Sequence, residues 1–338
     1  MAASLTAIVP NYNHGRFLAR AIPALQNQDP PPSEILIIDD ASTDDSVAVI
    51  KRLATSCPSI RLIQNGNNLG TVRSLNRGIG ESRGKYVYLA AADDMVHPGF
   101  FSKALAVLEK YPEAAFTCGE CEIVNESGAV TAIRPPARPT QHTAYLAPNA
   151  VKHLLRRIDN WGLTSSAILR RDLVLSVGSL DSHLASFADG FLLRKLALRH
   201  GFCFIPTIVA QWMARSDGYS RSIAADSRKS LELLDIACQK IMADPDFPDW
   251  YSDFFRRRYR FSISYIAACS DPPNRELLSK IAVQGWLDRL VIDTALSFRH
   301  WGRSLAPAWL AVRMYPFSVM ALAQTALARR VQAWRRNC

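Results

Sequence analysis

The chain has 338 residues, 49% of them hydrophobic and 21% charged, and carries a formal net charge of +10. This balance is typical of a well-packed globular protein of one large domain, or of a domain with an appendage, and it argues against a chain made mainly of membrane spans. The seven cysteines are scattered and odd in number, which argues against a disulfide framework, and Cys118 and Cys121 have no second pair at zinc-site spacing.

Residues 4–125 alternate between strand-like and helix-like stretches. Short apolar runs predict strands at Leu5–Pro10, Glu34–Ile38, Ile60–Gln64, Lys85–Ala90, Ala114–Cys118 and Cys121–Asn125. Helical periodicity predicts the intervening helices Gly15–Gln28, Asp44–Thr55, Thr71–Gly80 and Gly99–Lys110, of which Asp44–Thr55 is expected to be capped by Ser42 or Thr43. Strands and helices that alternate at this length predict an α/β fold with a mostly parallel sheet and flanking helices.

The pattern changes after residue 125. Residues 134–148 hold four prolines among small polar residues and predict an irregular loop, long enough for a substrate lid or an acceptor wall. Further elements are predicted at Asn149–Ile158 (helix), Leu163–Leu169 (strand), Phe187–His200 (helix) and Phe202–Val209 (strand, interrupted by Pro206). From about residue 223 onward the chain predicts only helices, at Ser227–Ala243, Trp250–Cys269 and Arg275–Arg299, followed by a tail.

Two predicted strands end in adjacent carboxylates. Asp39 and Asp40 follow the second strand, and Asp93 and Asp94 follow the strand that begins at Lys85. In an open α/β sheet, ligands lie in the crevice beyond the carboxyl ends of the strands. Hard carboxylate oxygens at such an end suit Mg²⁺ or Mn²⁺ held against a phosphate. The two acid-tipped strands therefore predict a nucleotide-phosphate site.

The motifs at these strand ends resemble those of family 2 glycosyltransferases. They are Val9-Pro-Asn-Tyr-Asn13, Ile38-Asp-Asp-Ala-Ser-Thr-Asp44, Asn68-Leu-Gly70 with Asn76-Arg-Gly78, and Ala92-Asp-Asp94 with Pro98-Gly99. Each is short, but their order and spacing are specific, and the resemblance covers roughly residues 5–215. It implies the GT-A fold, which is Rossmann-like, a nucleotide-sugar donor and inversion at the anomeric carbon.

The resemblance also implies a donor site. Its residues would be Pro10, Asn11, Tyr12, Asn13, Asp39, Asn68, Gly70, Arg73, Asn76, Ala92 and Asp93. Asp39 would accept a hydrogen bond from the ring N–H of a uracil-like base, whereas a cap or turn role suits Asp40 and Asp44 better. Arg73 either reaches the phosphates or is a solvated helix residue, because the family often has Arg directly before the Asn, where this chain has Leu75.

The expected cofactor is a divalent cation, Mg²⁺ or Mn²⁺. Asp93 matches the second carboxylate of the family's Asp-x-Asp motif, and Asp94 is the alternative ligand. The first carboxylate of that motif is replaced by Ala91. One protein carboxylate is physically sufficient, because Mg²⁺ keeps several waters and takes phosphate oxygens as further ligands.

Asp189 is the candidate catalytic base. It precedes a predicted helix, where the family places its base, and Phe187 and Ala188 beside it give an apolar setting that would raise its pKa. It would remove the proton of the acceptor hydroxyl while that oxygen attacks opposite the diphosphate. The alternative is an aspartate that favours the helix N-terminus through the dipole, and the two roles are compatible.

The basic tail is amphipathic in sequence. Leu327, Val331 and Trp334 share one helical face, and the arginines of the tail, Arg329, Arg330, Arg335 and Arg336, lie opposite or beside it. This pattern predicts either an interfacial helix on a membrane surface or a helix packed on its own domain. Nucleic acid is not expected as a partner, because no recognition motif accompanies the charge.

These observations predict a GT-A domain at residues 1–220, with a nucleotide-sugar half at 1–125 and an acceptor half at 126–220, and a helical, basic region at 221–338. The expected function is an inverting, metal-dependent glycosyltransferase of hexosyltransferase type, with a UDP- or dTDP-type donor and a glycan or lipid-linked glycan acceptor. Polysaccharide biosynthesis for the cell envelope, in the cytoplasm and peripherally on the inner membrane, is the expected setting. The alternative is a nucleotide-sugar-binding module without turnover. A nucleotidyltransferase is disfavoured, because the first strand lacks a Gly-rich phosphate loop.

Overall fold

The computed structural model describes residues 4–159, 161–215, 226–269, 273–283, 285–297, 302–314 and 319–337. The chain divides into two compact units, of which the first joins Met1–Arg215 with Val319–Cys338 and the second is Ser216–Ser318. The last helix of the chain therefore belongs to the unit that contains the strands. The domain boundaries that the sequence suggests at residues 125 and 220 stay predictions.

The amino-terminal half of the first unit alternates strands with helices. Its strands are β1 (Leu5–Asn11), β2 (Glu34–Asp39), β3 (Ile60–Gln64), β4 (Tyr86–Leu89) and β5 (Met95–Val96). Its helices are α1 (Gly15–Gln26), α2 (Ser46–Ser56), α3 (Thr71–Glu81) and α4 (Phe100–Lys110). Strands β1, β2 and β4 are almost wholly buried. Burial on both faces explains why their sequences read as continuous apolar runs rather than as alternating ones.

The second half of this unit is more irregular. Its elements are β6 (Phe116–Val124), β7 (Val130–Arg134), β8 (Ala144–Leu146), α5 (Pro148–Leu155), β9 (Ala167–Arg170), α6 (Arg171–Ser176), α7 (Ala188–His200) and β10 (Phe202–Met213), with 3-10 turns at Thr164–Ser166 and Ser182–Phe187. Part of the predicted strand Leu163–Leu169 is thus a 3-10 turn, and the predicted loop at 134–148 contains the short strand β8.

Within the described residues, ten strands form one sheet in the order β3-β2-β1-β4-β9-β6-β10-β5, with β7 beside β6 and β8 beside β10. Pairings β1–β2, β1–β4, β2–β3 and β6–β10 are parallel, and the others are antiparallel. The predicted α/β fold is confirmed, with a mixed sheet whose β3-β2-β1-β4 part is parallel. The loops after β1, β2 and β4 therefore meet at one edge.

Strand β6 runs unbroken where the sequence predicted two strands. The predicted gap fell at Gly119 and Glu120. In the structure a Cβ atom at position 119 would lie 2.7 Å from the side chain of Val209. Glycine is therefore required there by the close approach of β10, and not by a turn.

Strand β10 continues through Pro206 to Met213, beyond the predicted end at Val209. Its pairing with β6 shifts register between Ile205 and Ile208, and again before Ala210. A proline has no N–H for the ladder, and such irregularities are where strands accommodate it. The four additional strand residues carry Met213 and the residues after it toward the edge that holds the acidic loops.

The predicted cap of helix α2 was wrong. The helix begins at Ser46, and its first turn is tied by Asp44, whose Oδ1 accepts a hydrogen bond from the amide of Ser46 at 3.0 Å. The hydroxyl of Ser42 instead accepts hydrogen bonds from the side chain of Asn11 and from the amide of Asn13. Ser42 therefore serves the loop after β1 and not the helix.

The second unit consists of helices α8 (Ser227–Ala243), α9 (Tyr251–Cys269), α10 (Arg275–Ile281), α11 (Trp286–Ser297) and α12 (Gly302–Met314). The single helix predicted from Arg275 is two helices, and its predicted end at Arg299 lies outside the described residues. Buried Asp288 accepts hydrogen bonds from Trp309 and Arg313, which fastens α11 to α12.

Helix α13 (Val319–Asn337) closes the chain. The side chains of Trp334, Arg335 and Arg336, which the sequence placed on its faces, lie outside the described part. Across the helices that the structure describes, none combines the length and apolar character needed to cross a bilayer.

Candidate active site

The register of the sheet brings the acidic loops together. Asn11 at the end of β1 is paired with Asp39 at the end of β2, and the amide of Asp40 donates to the carbonyl of Asn11 at 2.8 Å. On the other side of β1, the amide of Ala90 donates to the carbonyl of Ile8 at 2.9 Å. The segments that follow β2 and β4 therefore leave the same edge on either side of β1.

Asp39 is fully buried and rigidly held. Its Oδ1 accepts a hydrogen bond from Nδ2 of Asn11 at 2.8 Å, and its Oδ2 accepts one from the amide of Ser42 at 3.2 Å. Tyr12, next to Asn11 and Pro10, keeps 45% of its surface exposed. The ends of β1 and β2 thus supply a fixed acceptor and an exposed aromatic residue, two groups that bind a planar base in proteins. That Asp39 touches the base stays a prediction.

Asn13 ties the loop after β1 to the loop after β2. Its Oδ1 accepts from the amides of Thr43 and Asp44, at 2.7 and 3.2 Å. Asn13 and Ala41 have positive φ angles of 55° and 61°. Such conformations are uncommon for residues other than glycine and are held by the surrounding structure, often at ligand sites. The side chain of Asn13 shapes the site, and a direct donor contact by it stays a prediction.

Asp40 organises the start of helix α3. Its carboxylate accepts from the amides of Leu69 and Gly70 and from Nδ2 of Asn65, at 2.7 to 2.8 Å. Burial by itself would raise the pKa of Asp40, but these hydrogen bonds outweigh it, so that the net pKa lies below 3.8. The exposed Asn68 adds a second acceptor for the amide of Gly70, at 3.0 Å. Asp40 therefore has the turn role that suits it in the sequence.

The two predicted donor residues on α3 behave differently. Arg73 is exposed on the first turn of the helix. The side chain of Asn76 is engaged at both ends, because Nδ2 donates to the carbonyl of Leu180 at 2.7 Å and Oδ1 accepts from the amide of Leu180 at 3.0 Å. These bonds join α3 to the segment before the candidate base. Asn76 is therefore placed to position that segment, and a contact of its side chain with the donor stays a prediction.

Asp93 is paired with Arg215. Nη1 of Arg215 lies 3.8 Å from Oδ2 of Asp93, and 19% of the Asp93 side chain is exposed against 10% of the Arg215 side chain. The guanidinium also lies over the ring of Phe17, 4.7 Å from its centroid. This cation–π contact stabilises its position. Ala92, which the sequence placed at the donor, is buried. Asp93 is thus the acid of this loop that faces the site.

Asp94 points away from that position. It is buried, and its Oδ1 accepts a hydrogen bond from the amide of Met213 at 3.1 Å. Burial and the neighbouring charge of Asp93 raise the pKa of Asp94 to about 8, although the Met213 amide and the Ser165 hydroxyl lower it. A carboxyl that is neutral at pH 7 and bonded to the backbone is a poor ligand for Mg²⁺, which argues against the alternative ligand role.

The partly exposed carboxylate of Asp93 is the group that this edge offers to a cation. Among the described residues there is no group of three or more His, Cys, Asp or Glu side chains that could hold a metal ion. Asp93 alone fits a cation that takes most of its ligands from a diphosphate and from water. The guanidinium of Arg215 already supplies positive charge there, so tight cation binding before the donor arrives is not expected.

Asp189 lies in the first turn of α7 and is half-buried. Its Oδ1 accepts a hydrogen bond from the amide of Gly190 at 2.6 Å. Burial raises the pKa of Asp189 above 3.8, although the Gly190 amide and the charge of Arg194 oppose the shift. The predicted apolar effect on this carboxyl therefore exists, together with the helix-terminal placement. That Asp189 faces the same crevice as Asp93 stays a prediction.

The segment before Asp189 is strained. Ser179 and Ala185 have φ angles of 60° and 44°. Only glycine adopts this region without a steric cost, so each of these residues costs on the order of 1–3 kcal/mol. Arg194 supports the start of α7, because it donates to Asp159 and to the carbonyl of Gly190. The turn that carries the candidate base is thus held by contacts distant in sequence.

Three parts of this arrangement were not predicted from the sequence. They are the pairing of Arg215 with Asp93, the contact of Arg215 with the Phe17 ring, and the hydrogen bonds from Asn11 and Asn13 to the Ser42 hydroxyl. Arg215 is not among the site residues that the sequence predicted. Its position shortly after the end of a strand was a usable signal, but only if β10 had been extended to Met213 and paired antiparallel with β5. Then Asp93 and Arg215 fall next to each other.

Comparisons with known proteins concern the family and the fold of this chain. Residues 6–163 match the sequence model described as glycosyl transferase family 2. The uncharacterized glycosyltransferase YibD of Escherichia coli is 37% identical over 103 residues, which cover 30% of each chain. The chain spans less than two thirds of the length of the curated relatives that it matches, for example 64% and 38% for two of them.

Two solved structures show the same fold. S. aureus TarS 1–349, in complex with UDP-GlcNAc, has a TM-score of 0.61 and 16% identity, with 90% of this chain and 88% of that chain covered. The mannosyltransferase PcManGT of Pyrobaculum calidifontis, in complex with GDP-Man and Mn²⁺, has a TM-score of 0.58 and 18% identity, with 96% and 86% covered. At this identity the likeness concerns the fold alone, and it confirms the predicted GT-A architecture.

Proposed function

Because this chain belongs to glycosyl transferase family 2 and has its fold, we propose that it is an inverting hexosyltransferase that uses a nucleotide-diphosphate sugar. The observation that carries the proposal is the shared edge of β1, β2 and β4, where β2 ends at Asp39 and the segment with Asp93 leaves β4 on the other side of β1. Such an edge is where α/β folds bind nucleotides. Its acids are held by specific contacts and are not merely in solvated turns.

The base of the donor would lie against the loop with Asn11 and Tyr12. Asp39 is an ionisable acceptor fixed by Asn11 and Ser42. A uracil or thymine ring presents an N–H to such an acceptor, whereas cytosine presents a lone pair at the same place. This supports a UDP- or dTDP-type donor. TarS and PcManGT were solved with UDP-GlcNAc and GDP-Man, respectively, so both uracil and guanine donors belong in the test.

The diphosphate would lie near Asp93 and Arg215. A divalent cation, when bound at Asp93, supplies positive charge to the leaving diphosphate. Arg215 donates from a fixed position on the Phe17 ring and stabilises the same developing charge. Because the Phe17 ring already holds the guanidinium in place, Arg215 needs little rearrangement as negative charge develops on the diphosphate.

Asp189 would act on the acceptor. Its carboxylate takes the proton of the acceptor hydroxyl as that oxygen forms a bond to the anomeric carbon, and the bond from that carbon to the diphosphate oxygen breaks. A pKa raised by burial makes the carboxylate a stronger base. Attack from the face opposite the leaving group gives an inverted product.

The acceptor is proposed to be a glycan or a lipid-linked glycan, in polysaccharide biosynthesis for the cell envelope. A cytoplasmic enzyme that is peripheral on the inner membrane suits such an acceptor. The basic carboxyl-terminal helix supports this setting through its charge.

A binding module without turnover is the second candidate, favoured by Ala91 in place of the first acid of the metal motif. Transfer and donor hydrolysis should be measured with UDP-, dTDP- and GDP-sugars, with and without Mn²⁺, alongside thermal stabilisation by each donor. Turnover that is lost in Asp189→Asn while donor stabilisation persists supports the enzyme. Stabilisation by a donor without any turnover in the wild type supports the binding module.

A further inference from the structure

Helix α13 packs on the first unit through a polar face. Ala321 and Thr325 are buried, at 3% and 1% exposure, and Arg329 follows one turn later on the same side. The hydroxyl of Thr325 accepts a hydrogen bond from the amide of Arg138 at 2.8 Å. Arg329 donates to Glu120 at 2.5 and 2.9 Å and to the carbonyl of Pro135 at 2.7 Å.

Glu120 is the anchor of this contact. Its side chain is 1% exposed, and it binds Arg138 as well as Arg329, with Nε and Nη2 of Arg138 at 3.0 and 2.5 Å. A buried carboxylate shared by two guanidiniums is strongly directional, because each guanidinium hydrogen bond needs a fixed geometry and loss of Glu120 would leave both cations uncompensated. Rotation of α13 about its axis would remove Arg329 from Glu120. The network therefore fixes which face of the helix points outward.

The outward face is apolar. Met320, Leu327 and Val331 are 70%, 66% and 41% exposed. Their spacing of seven and four residues puts them on one stripe. A helix on the surface of a globular protein normally buries its apolar stripe and exposes its polar one. Helix α13 has the reverse arrangement, since threonine and arginine face the protein while methionine, leucine and valine face outward.

The charge of this segment favours an anionic partner for the stripe. Residues 319–338 contain four arginines, at positions 329, 330, 335 and 336, and no Asp or Glu. Arg330 is exposed beside the stripe. A second copy that presented the same face would bring like charges together, which is unfavourable in a two-fold interface. An anionic lipid surface offers both the apolar layer and the opposite charge.

We propose that the stripe Met320–Leu327–Val331 is the lipid-docking surface of this protein, and that Glu120 and Arg329 lock the helix with this stripe outward. The inference deepens the proposed function, on which it rests for the presence of a membrane-borne acceptor. Docking through α13 places the unit that holds the acidic edge next to the bilayer.

The test is sedimentation of the full-length protein with vesicles of phosphatidylcholine alone or mixed with phosphatidylglycerol. The wild type should bind the mixed vesicles, and added salt should weaken binding. Leu327→Gln combined with Val331→Gln should reduce the affinity about tenfold or more, because two of the three apolar side chains of the stripe are lost. Leu175→Gln, at a leucine that is 40% exposed on helix α6, is the matched control and should bind as the wild type does.

A second variant keeps the test independent of folding. Arg330→Gln leaves the buried network intact and should lower the salt sensitivity of binding. Equal binding by the wild type and the double variant, or no binding to the mixed vesicles, overturns the proposal. A wild-type dimer that the double variant dissociates assigns the stripe to a second copy and also overturns it. Failure of the proposed function is seen separately, as absence of transfer to a soluble acceptor by a protein that still binds vesicles.

Discussion

The guanidinium of Arg215 lies 3.8 Å from the carboxylate of Asp93 and over the ring of Phe17. Asp93 follows β4 and Arg215 follows β10, and the two meet because β5 pairs antiparallel with β10, at Met95 and Gln211. The position at which a cation is expected therefore already has a fixed positive partner. This relationship bears directly on how the donor is bound.

Replacement of Arg215 should weaken donor use. Arg215→Ala removes a charged hydrogen-bond donor, and contacts of that kind are worth roughly 1.5–3 kcal/mol, so kcat/KM for the donor should fall about 10- to 150-fold. The concentration of Mn²⁺ needed for half-maximal activity should also change. Arg16→Ala is the control, because Arg16 lies over the same ring from helix α1. Steady-state kinetics that are unchanged in Arg215→Ala would remove this residue from the site.

Asp189 should control turnover and its pH dependence. Asp189→Asn should lower kcat by about 10²–10⁴-fold, the usual contribution of a general base, while thermal stabilisation by the donor persists. Since burial raises the pKa of Asp189, activity should fall on the acidic side at a pH above the ordinary carboxyl range. Asp172→Asn, in the first turn of α6, is the control. Loss of donor binding in Asp189→Asn would contradict the assigned role.

Asp94 should make stability depend on pH in the direction opposite to a usual acid. Its folded pKa of about 8 exceeds its ordinary value of 3.8, so the folded state retains a proton that the unfolded state releases. Its contribution to stability is complete below pH 3.8 and is lost as the pH rises to about 8, with a slope of up to roughly 1.4 kcal/mol per pH unit.

Asp94→Asn should flatten this dependence and raise the free energy of unfolding at pH 8. Urea titrations from pH 5 to 8 without divalent cation would measure the change. Asp40→Asn tests the opposite case. The pKa of Asp40 is lowered in the folded state, so Asp40 stabilises the folded protein at pH values above its unfolded pKa. That variant should lose about 1–3 kcal/mol at pH 7. Equal pH profiles for Asp94→Asn and the wild type would refute the assignment.

Asn76 should act through structure rather than through contact with the donor. Asn76→Ala removes both hydrogen bonds to Leu180 and leaves two backbone groups without their partner, which should lower the free energy of unfolding by about 1–3 kcal/mol. Because Leu180 precedes the turn that carries Asp189, kcat should fall while the donor KM stays close to the wild-type value. Asn67→Ala, at an exposed residue before α3, is the control. A rise in donor KM alone would restore Asn76 to the donor site.

The strand pattern of the first half was predictable because each strand is short, apolar and bounded by turn residues. Periodicity alone placed β1 to β4 and α1 to α4 within a few residues, since burial on both faces leaves a continuous apolar run. It failed at Gly119, which the sequence marks as a break. The reason for that glycine is Val209 on another strand, and no local pattern contains it.

The amino-acid sequence by itself determined the alternating α/β order, the acids at the strand ends and the basic, amphipathic character of the carboxyl terminus. These properties are local, because each depends on residues a few positions apart. Only the tertiary structure decided that Asp94 turns inward to Met213, that Asn76 holds Leu180, that Arg215 joins Asp93, and that α13 buries Arg329 against Glu120. Each of those choices balances burial of a polar group against a partner distant in the chain, and that partner exists only once the strands have paired.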